Sequence, residues 1–332
     1  LIRQARAANL LSRIAVLIDE AGLIDAIPLE PRAHLLSARV ISAAQSAEVL
    51  REVEYVRKAL ESTGSQPIFL KGTAYLLADL PAAQGRMFSD LDVLVPKDLL
   101  PQVESNLMLN GWATTHHDPY DQRYYRRWMH ELPPFQHIHR LTVLDVHHGI
   151  LPDTARLRPD SGKLQKAAIQ SSKEARVRVI APADMILHSM THLFHNEELS
   201  HGLRDISDLD LLLRHFGQDA DFWDGLLCRA QLLGLTRPLY YGLRYTSKLL
   251  GTPVPEKVLE QSRQWEPTPL LRWLMDSLWM RALRPHHASV ADIVTPTALF
   301  LLYVRAHWLR MPPLLLLYHL SVKAIRRKSE KE

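Results

Sequence analysis

The chain has 332 residues, 47% of them hydrophobic and 23% charged, with 40 Lys and Arg against 36 Asp and Glu for a formal charge of +4. This is the make-up of a folded globular protein of two or more domains; it excludes a disordered chain, and the charge excess is too small to argue for nucleic acid as a bulk electrostatic partner. The single cysteine, Cys228, excludes an intramolecular disulfide and a cysteine-based zinc finger, and it fits a reducing cytoplasm.

The sequence opens on Leu1, read as a trimmed start, and no charged-then-apolar signal segment follows. Leu10, Leu11, Ile14, Leu17 and Ile18 recur at helical spacing, with Gly22 as the stop. A second helix begins near Pro31 and runs to Gly64, so residues 1–63 form an N-terminal helical region. A core is expected over residues 64–180. It starts with a strand at 68–70, the turn Lys71-Gly72-Thr73 and a short helix at 73–79. A glycine lets backbone N–H groups approach phosphate oxygens, and a helix N-terminus favours negative charge. Lys71, Gly72 and Thr73 are therefore nucleotide-binding candidates, Lys71 as a point charge and Thr73 through its hydroxyl. Arg86 follows, where a guanidinium fork can reach phosphate, and Ser89 joins the same candidate set.

Next comes Ser89-Asp90-Leu91-Asp92-Val93-Leu94-Val95. On a strand over 91–95, Leu91, Val93 and Val95 face a core while Asp90 and Asp92 project to the opposite side. Paired carboxylates are what Mg²⁺ asks of a protein when substrate phosphates complete its shell. A helix over 97–110 should end at Gly111, followed by a strand over 112–115. Residues 118–134 hold Tyr120, Arg123, Tyr124, Tyr125, Arg126, Arg127, Trp128 and His130 and read as a loop over the site, with faces suited to a base or an acceptor. Strands over 135–139 and 141–147 follow. The second carries Asp145, and His147 lies on its same face; beside the Asp90/Asp92 strand, Asp145 completes three carboxylates able to hold metal, and it is the natural base.

A last short strand is expected at 176–180, and from Pro182 onward the chain reads as a helical domain, 181–332. His188, His192 and His195 share one helical face. Such spacing permits zinc, although no Glu stands between His188 and His192 as a zinc-protease helix requires. Two apolar runs, 298–304 and 314–318, are broken by Arg305, His307, Arg310, Pro312 and Pro313, too short to span a bilayer and expected as buried helices. Trp308 and the basic residues Lys323, Arg326, Arg327 and Lys328 give the alternative of a peripheral membrane contact.

Leu70-Lys71-Gly72, Arg86, Ser89-Asp90-Leu91-Asp92-Val93-Leu94-Val95 and Leu144-Asp145-Val146-His147, with the helical segments around them, resemble the bacterial uncharacterised nucleotidyltransferase family of the DNA polymerase β-like superfamily. The turn departs from that superfamily's usual Gly-Gly or Gly-Ser. The resemblance implies an α+β fold, a small mixed-sheet core flanked by helical regions. It implies Mg²⁺ (or Mn²⁺) held by Asp90, Asp92 and Asp145, and transfer of a nucleoside monophosphate from an NTP, ATP by default, to an unidentified hydroxyl acceptor on a small molecule, a protein or an RNA end. His192 and Asp208 match a His and an Asp of the family's helical region and, with His147, would face the acceptor. Two alternatives stand beside this reading: a metal-dependent hydrolase using His147, His188, His192 and Asp208, and a catalytically idle nucleotide-binding or membrane-edge interaction module.

Overall fold

The computed structural model describes residues 1–116 and 118–319. Its sheet joins β1 (Ile68–Phe69), β2 (Leu91–Leu94), β3 (Trp112–Thr114), β4 (Phe135–His137), β5 (Val143–His147), β6 (Ile169–Gln170) and β7 (Arg178–Val179) in the order β3-β4-β5-β2-β1-β7-β6. The pairing is mixed: β2 runs parallel to β5 and antiparallel to β1, and β1 runs parallel to β7. An α+β fold results, with helices flanking the sheet on both sides of the sequence.

Helix Leu11–Glu20 folds against the long helix Leu29–Leu60, and together they close a small satellite core of Ala5, Leu11, Ala15 and Leu35. The long helix turns off the sheet at Gly64, whose φ of 70° is a left-handed conformation that a side chain would strain. A larger core then runs without a break from Val49 through the strands to Phe194, Tyr245, Trp279 and Leu302, so the sheet and the helices after Pro182 bury their apolar faces in one another. Val93, Leu144 and Val146 are fully covered, while Asp92 is buried on the other face of the same ladder.

Two expectations are corrected. The segment 118–134 is not simply a loop: it contains helix Pro119–Trp128, started by the Asp118 side chain, which accepts from the Tyr120 and Asp121 amides, with Pro119 at the first helical position. Helix Ser161–Ala167, capped by Asp160, and the edge strand β6 lie in the stretch before the strand expected at 176–180. The apolar run 298–304 lies in helix Thr295–Arg310, which buries only Ala298, Leu302 and Ala306 and turns Phe300, Leu301 and Val304 outward, and Leu314 and Leu317 are likewise exposed. Among the described residues no helix is long and apolar enough to cross a membrane. The basic residues Lys323, Arg326, Arg327 and Lys328 lie outside the described residues.

Candidate active site

The parallel register of β2 and β5 sets Asp92 directly opposite Asp145. Side chains opposite one another across a ladder share a face, so both carboxylates point the same way, with His147 two residues further along β5 on that face. Asp92 is 2% exposed, and its Oδ1 accepts from Lys71 Nζ at 2.7 Å and meets His147 Nε2 at 2.9 Å. Burial alone would favour the neutral acid, but the Lys71 ammonium and the His147 hydrogen bond outweigh it and hold Asp92 ionised, well below the usual carboxylate range. Burial likewise opposes the charge on Lys71, and the Asp92 and Asp90 carboxylates reverse that, raising its pKa. Lys71 opens helix Lys71–Leu77 at φ 47°, left-handed backbone that a non-glycine residue adopts at a cost and that recurs at functional sites.

Asp145 is in the opposite electrostatic position. Burial, then the fields of Asp92 and Glu131, push its carboxyl up to about 7, and its buried Oδ1 has no hydrogen-bond partner. Glu131 reaches the site from the segment after helix Pro119–Trp128, placing Oε2 3.2 Å from His147 Nδ1. One ligand atom each from Asp92, Asp145 and His147 lie within 4.8 Å of one another, and the same holds for His130, Glu131 and His147. The first set, two hard carboxylates with an orphaned buried oxygen, fits a divalent cation. Sequence reasoning missed Glu131 and noted His130 only as one residue of a loop. The signal that places them is the backbone bridge between Glu131 and His147, a long-range pairing with no local sequence pattern.

These groups line a cavity of about 620 Å³, within the range of small-molecule sites. Lys71, Gly72, Arg86, Ser89, Asp90 and Asp145 form the sheet side, Tyr124 and Tyr125 come from helix Pro119–Trp128, and His188 and His192 face them from helix Pro182–His195. Asp90 precedes β2, half-buried, and accepts from Ser89 Oγ at 2.7 Å; it stands on the cavity wall but outside both three-ligand sets. Two candidates lie off the cavity. Thr73 is 1% exposed with its hydroxyl buried, because it is the third residue of helix Lys71–Leu77, which is buried from Gly72 onward. Asp208, expected to face an acceptor, is clamped behind the wall between Arg13 Nη2 at 2.7 Å and Arg86 Nε at 2.9 Å. Arg86 thus spends one edge of its guanidinium on Asp208 rather than lying free for phosphate. The same group lies against Gly72, where a Cβ would fall 2.1 Å from Arg86 Nη1, so the bare α-carbon is what admits it.

The histidine face of helix Pro182–His195 turns into the protein. Among the described residues no three-ligand group contains His188, His192 or His195. Burial holds all three neutral: it takes His188 and His195 down to about 3, helped at His188 by the Lys71 charge, and His192 well below its ordinary value. His195 Nδ1 is 3.1 Å from the Thr191 carbonyl. An unfolded chain takes up protons on these rings below about pH 6.5, whereas the folded chain resists until about pH 3, so stability is lost as pH falls through that window. Thermal melts at pH 7 and pH 5 should therefore differ, with each of His188 and His195 contributing about 1–2 kcal/mol to the loss. A His195→Gln variant should shrink the difference; an unchanged difference would remove His195 from its origin.

A family model, uncharacterised nucleotidyltransferase, matches residues 1–251. The chain belongs to this nucleotidyltransferase family. No curated protein and no solved structure matches the chain. The match takes in the N-terminal helices, the whole sheet, the histidine-bearing helix and Asp208, and it closes at the end of helix Thr236–Leu250. Arg310 and His319, which also border the cavity, come from beyond it. Nucleotidyl transfer is accordingly the chemistry against which this nucleotidyltransferase's cavity is to be read.

Proposed function

We propose that the protein transfers a nucleoside monophosphate from an NTP, ATP by default, to a hydroxyl acceptor with release of pyrophosphate. The observation that carries this reading is the in-register pair Asp92 and Asp145, one carboxylate ionised beside Lys71 and the other close to neutral with a buried free oxygen. A divalent ion, Mg²⁺ or Mn²⁺, bound by Asp92 and Asp145 with Asp90 at the rim, would neutralise charge on the triphosphate and on the departing pyrophosphate. Lys71, fixed 2.7 Å from Asp92, is placed to exchange that contact for phosphate oxygens when a polyanion enters. Asp145, its carboxyl raised to about 7, is suited to accept the acceptor's hydroxyl proton near neutral pH. Tyr125 and the imidazoles of His188 and His192 supply faces for a base or an acceptor on the far wall. Asp208 acts indirectly, by setting the position of Arg86. A hydrolase centred on His147, His188, His192 and Asp208 loses its motive, since Asp208 is consumed by Arg13 and Arg86.

The test is incubation of the protein with each α-labelled nucleoside triphosphate, Mg²⁺ and a bacterial lysate, following label and pyrophosphate, with Asp92→Asn in parallel. Label transfer with equimolar pyrophosphate by the parent, and none by the variant, is the expected result. Nucleotide binding without pyrophosphate release from any of the four triphosphates would overturn the reading in favour of a binding module.

A further inference from the structure

We propose that His130, Glu131 and His147 form a second cation site, of transition-metal type, next to the carboxylate pair and independent of the nucleotidyl-transfer reading. Glu131 Oε2 stands 3.2 Å from His147 Nδ1 and 3.9 Å from His130 Nε2. Two ligands on one ion with bonds of about 2.1 Å are about 3.0–3.4 Å apart at octahedral to tetrahedral angles, so the first pair already has the spacing and the second needs only a small side-chain rotation. The rings of His130 and His147 lie 5.4 Å apart between centroids, tilted by 37°. All three residues border the cavity, which leaves a coordination position open to a small molecule, the arrangement of catalytic rather than purely structural zinc.

The ligands sit on paired backbone. The Leu132 amide donates to the Val146 carbonyl at 2.9 Å, the His148 amide donates to the His130 carbonyl at 2.8 Å, and Glu131 bridges to His147, so the segment is laced to β5. A carboxylate that orients one of the imidazoles is also in place. His147 Nε2 is 2.9 Å from Asp92 Oδ1; with the ring proton on that side, Nδ1 presents its lone pair toward Glu131, the carboxylate–histidine–metal arrangement that fixes an imidazole ligand's tautomer. His130 adds a buried Nδ1 with no hydrogen-bond partner, and its Nε2 is the nitrogen that faces Glu131. Two imidazoles and one carboxylate suit Zn²⁺, Co²⁺, Mn²⁺ or Fe²⁺ and disfavour Mg²⁺, which keeps to oxygen. In that tautomer His147 ligates through Nδ1 alone and donates its Nε2 proton to Asp92, so an ion on His130 and Glu131 would set the charge felt by Asp92.

The full chain, stripped with chelator, would be titrated with Co²⁺ and then Zn²⁺, reading the visible ligand-field absorption of cobalt and its displacement. One equivalent per chain is expected, undisturbed by millimolar Mg²⁺, weakened tenfold or more in Glu131→Gln and in His130→Gln, and retained in His192→Gln. Zinc-edge X-ray absorption of the unaltered protein gives a reading that needs no variant: two imidazoles in the first shell support the site, and none or one overturns it. Absence of cobalt binding by the folded chain would overturn it too, as would loss in Asp145→Asn with retention in Glu131→Gln, which assigns the ion to the carboxylate pair. None of these readouts depends on nucleotide, so failure of the transfer assay leaves them intact.

Discussion

Replacing Asp145 by Asn is expected to cut label transfer by about 10²–10⁴-fold, the contribution of a positioned general base, while nucleotide remains bound. The same substitution should leave the metal-free fold at least as stable. In the folded chain Asp145 holds a proton up to about pH 7, because burial and the Asp92 and Glu131 carboxylates disfavour its charge, whereas the unfolded chain releases it in the ordinary carboxylate range. Between about pH 4 and 7 the folded state therefore binds more protons than the unfolded one, and stability falls as pH rises through that window. Asn carries no such charge, so at pH 8 the metal-free variant should melt at or above the parent, by about 1–2 °C for each kcal/mol relieved. Activity lost with the melting temperature kept separates a chemical role from a structural one. Transfer within tenfold of the parent would remove Asp145 from the reaction.

The second large effect belongs to Asp208. Its two oxygens take Arg13 and Arg86, both nearly covered, and Arg13 also donates to the Ala82 carbonyl at 2.6 Å and to Ser207 Oγ at 3.1 Å. One carboxylate thus pins helix Leu11–Glu20, the segment leading to Arg86 and helix Gly202–Phe216 to one another. Asp208→Ala leaves two guanidinium groups buried without a counter-ion, a loss of about 3–5 kcal/mol in a protein whose whole stability is of order 5–15 kcal/mol. Chemical denaturation should show the midpoint falling accordingly. Removing the cations as well, in Asp208→Leu with Arg13→Met and Arg86→Met, should recover much of it. A single Asp208→Ala variant as stable as the parent would refute the pin.

Much of the sheet was readable because its strands carry their own pattern. The alternation through 91–95 and 141–147 sends Val93, Leu144 and Val146 inward and puts Asp92, Asp145 and His147 on one face, and β2 and β5 pair as that pattern requires. Helix Pro119–Trp128 was signalled by Asp118 and Pro119 together, but a polar, Tyr- and Arg-rich run with no apolar stripe hides a helix whose inner face is aromatic. Glu131 and His130 were out of reach because a single bridge to β5, not a pattern of their own, brings them in. Asp208 presents the same difficulty from the other direction. At one-turn spacing from Asp205 it resembles a solvated helix face, and it is Arg13 and Arg86, both remote in sequence, that account for its burial.

The carboxylate spacing across β2 and β5 is set by a ladder of amides, about 4.8 Å from strand to strand, rather than by side-chain packing. Sliding β5 by one residue would turn Asp145 and His147 to the wrong face and send Leu144 and Val146 into the cavity, a change confined to one strand of a largely helical protein. A chain trapped in that slipped pairing would be compact, helical and soluble by the usual criteria, and still unable to gather its acids. Activity per milligram in a refolded sample therefore counts molecules with the right strand alignment, which circular dichroism and gel filtration do not.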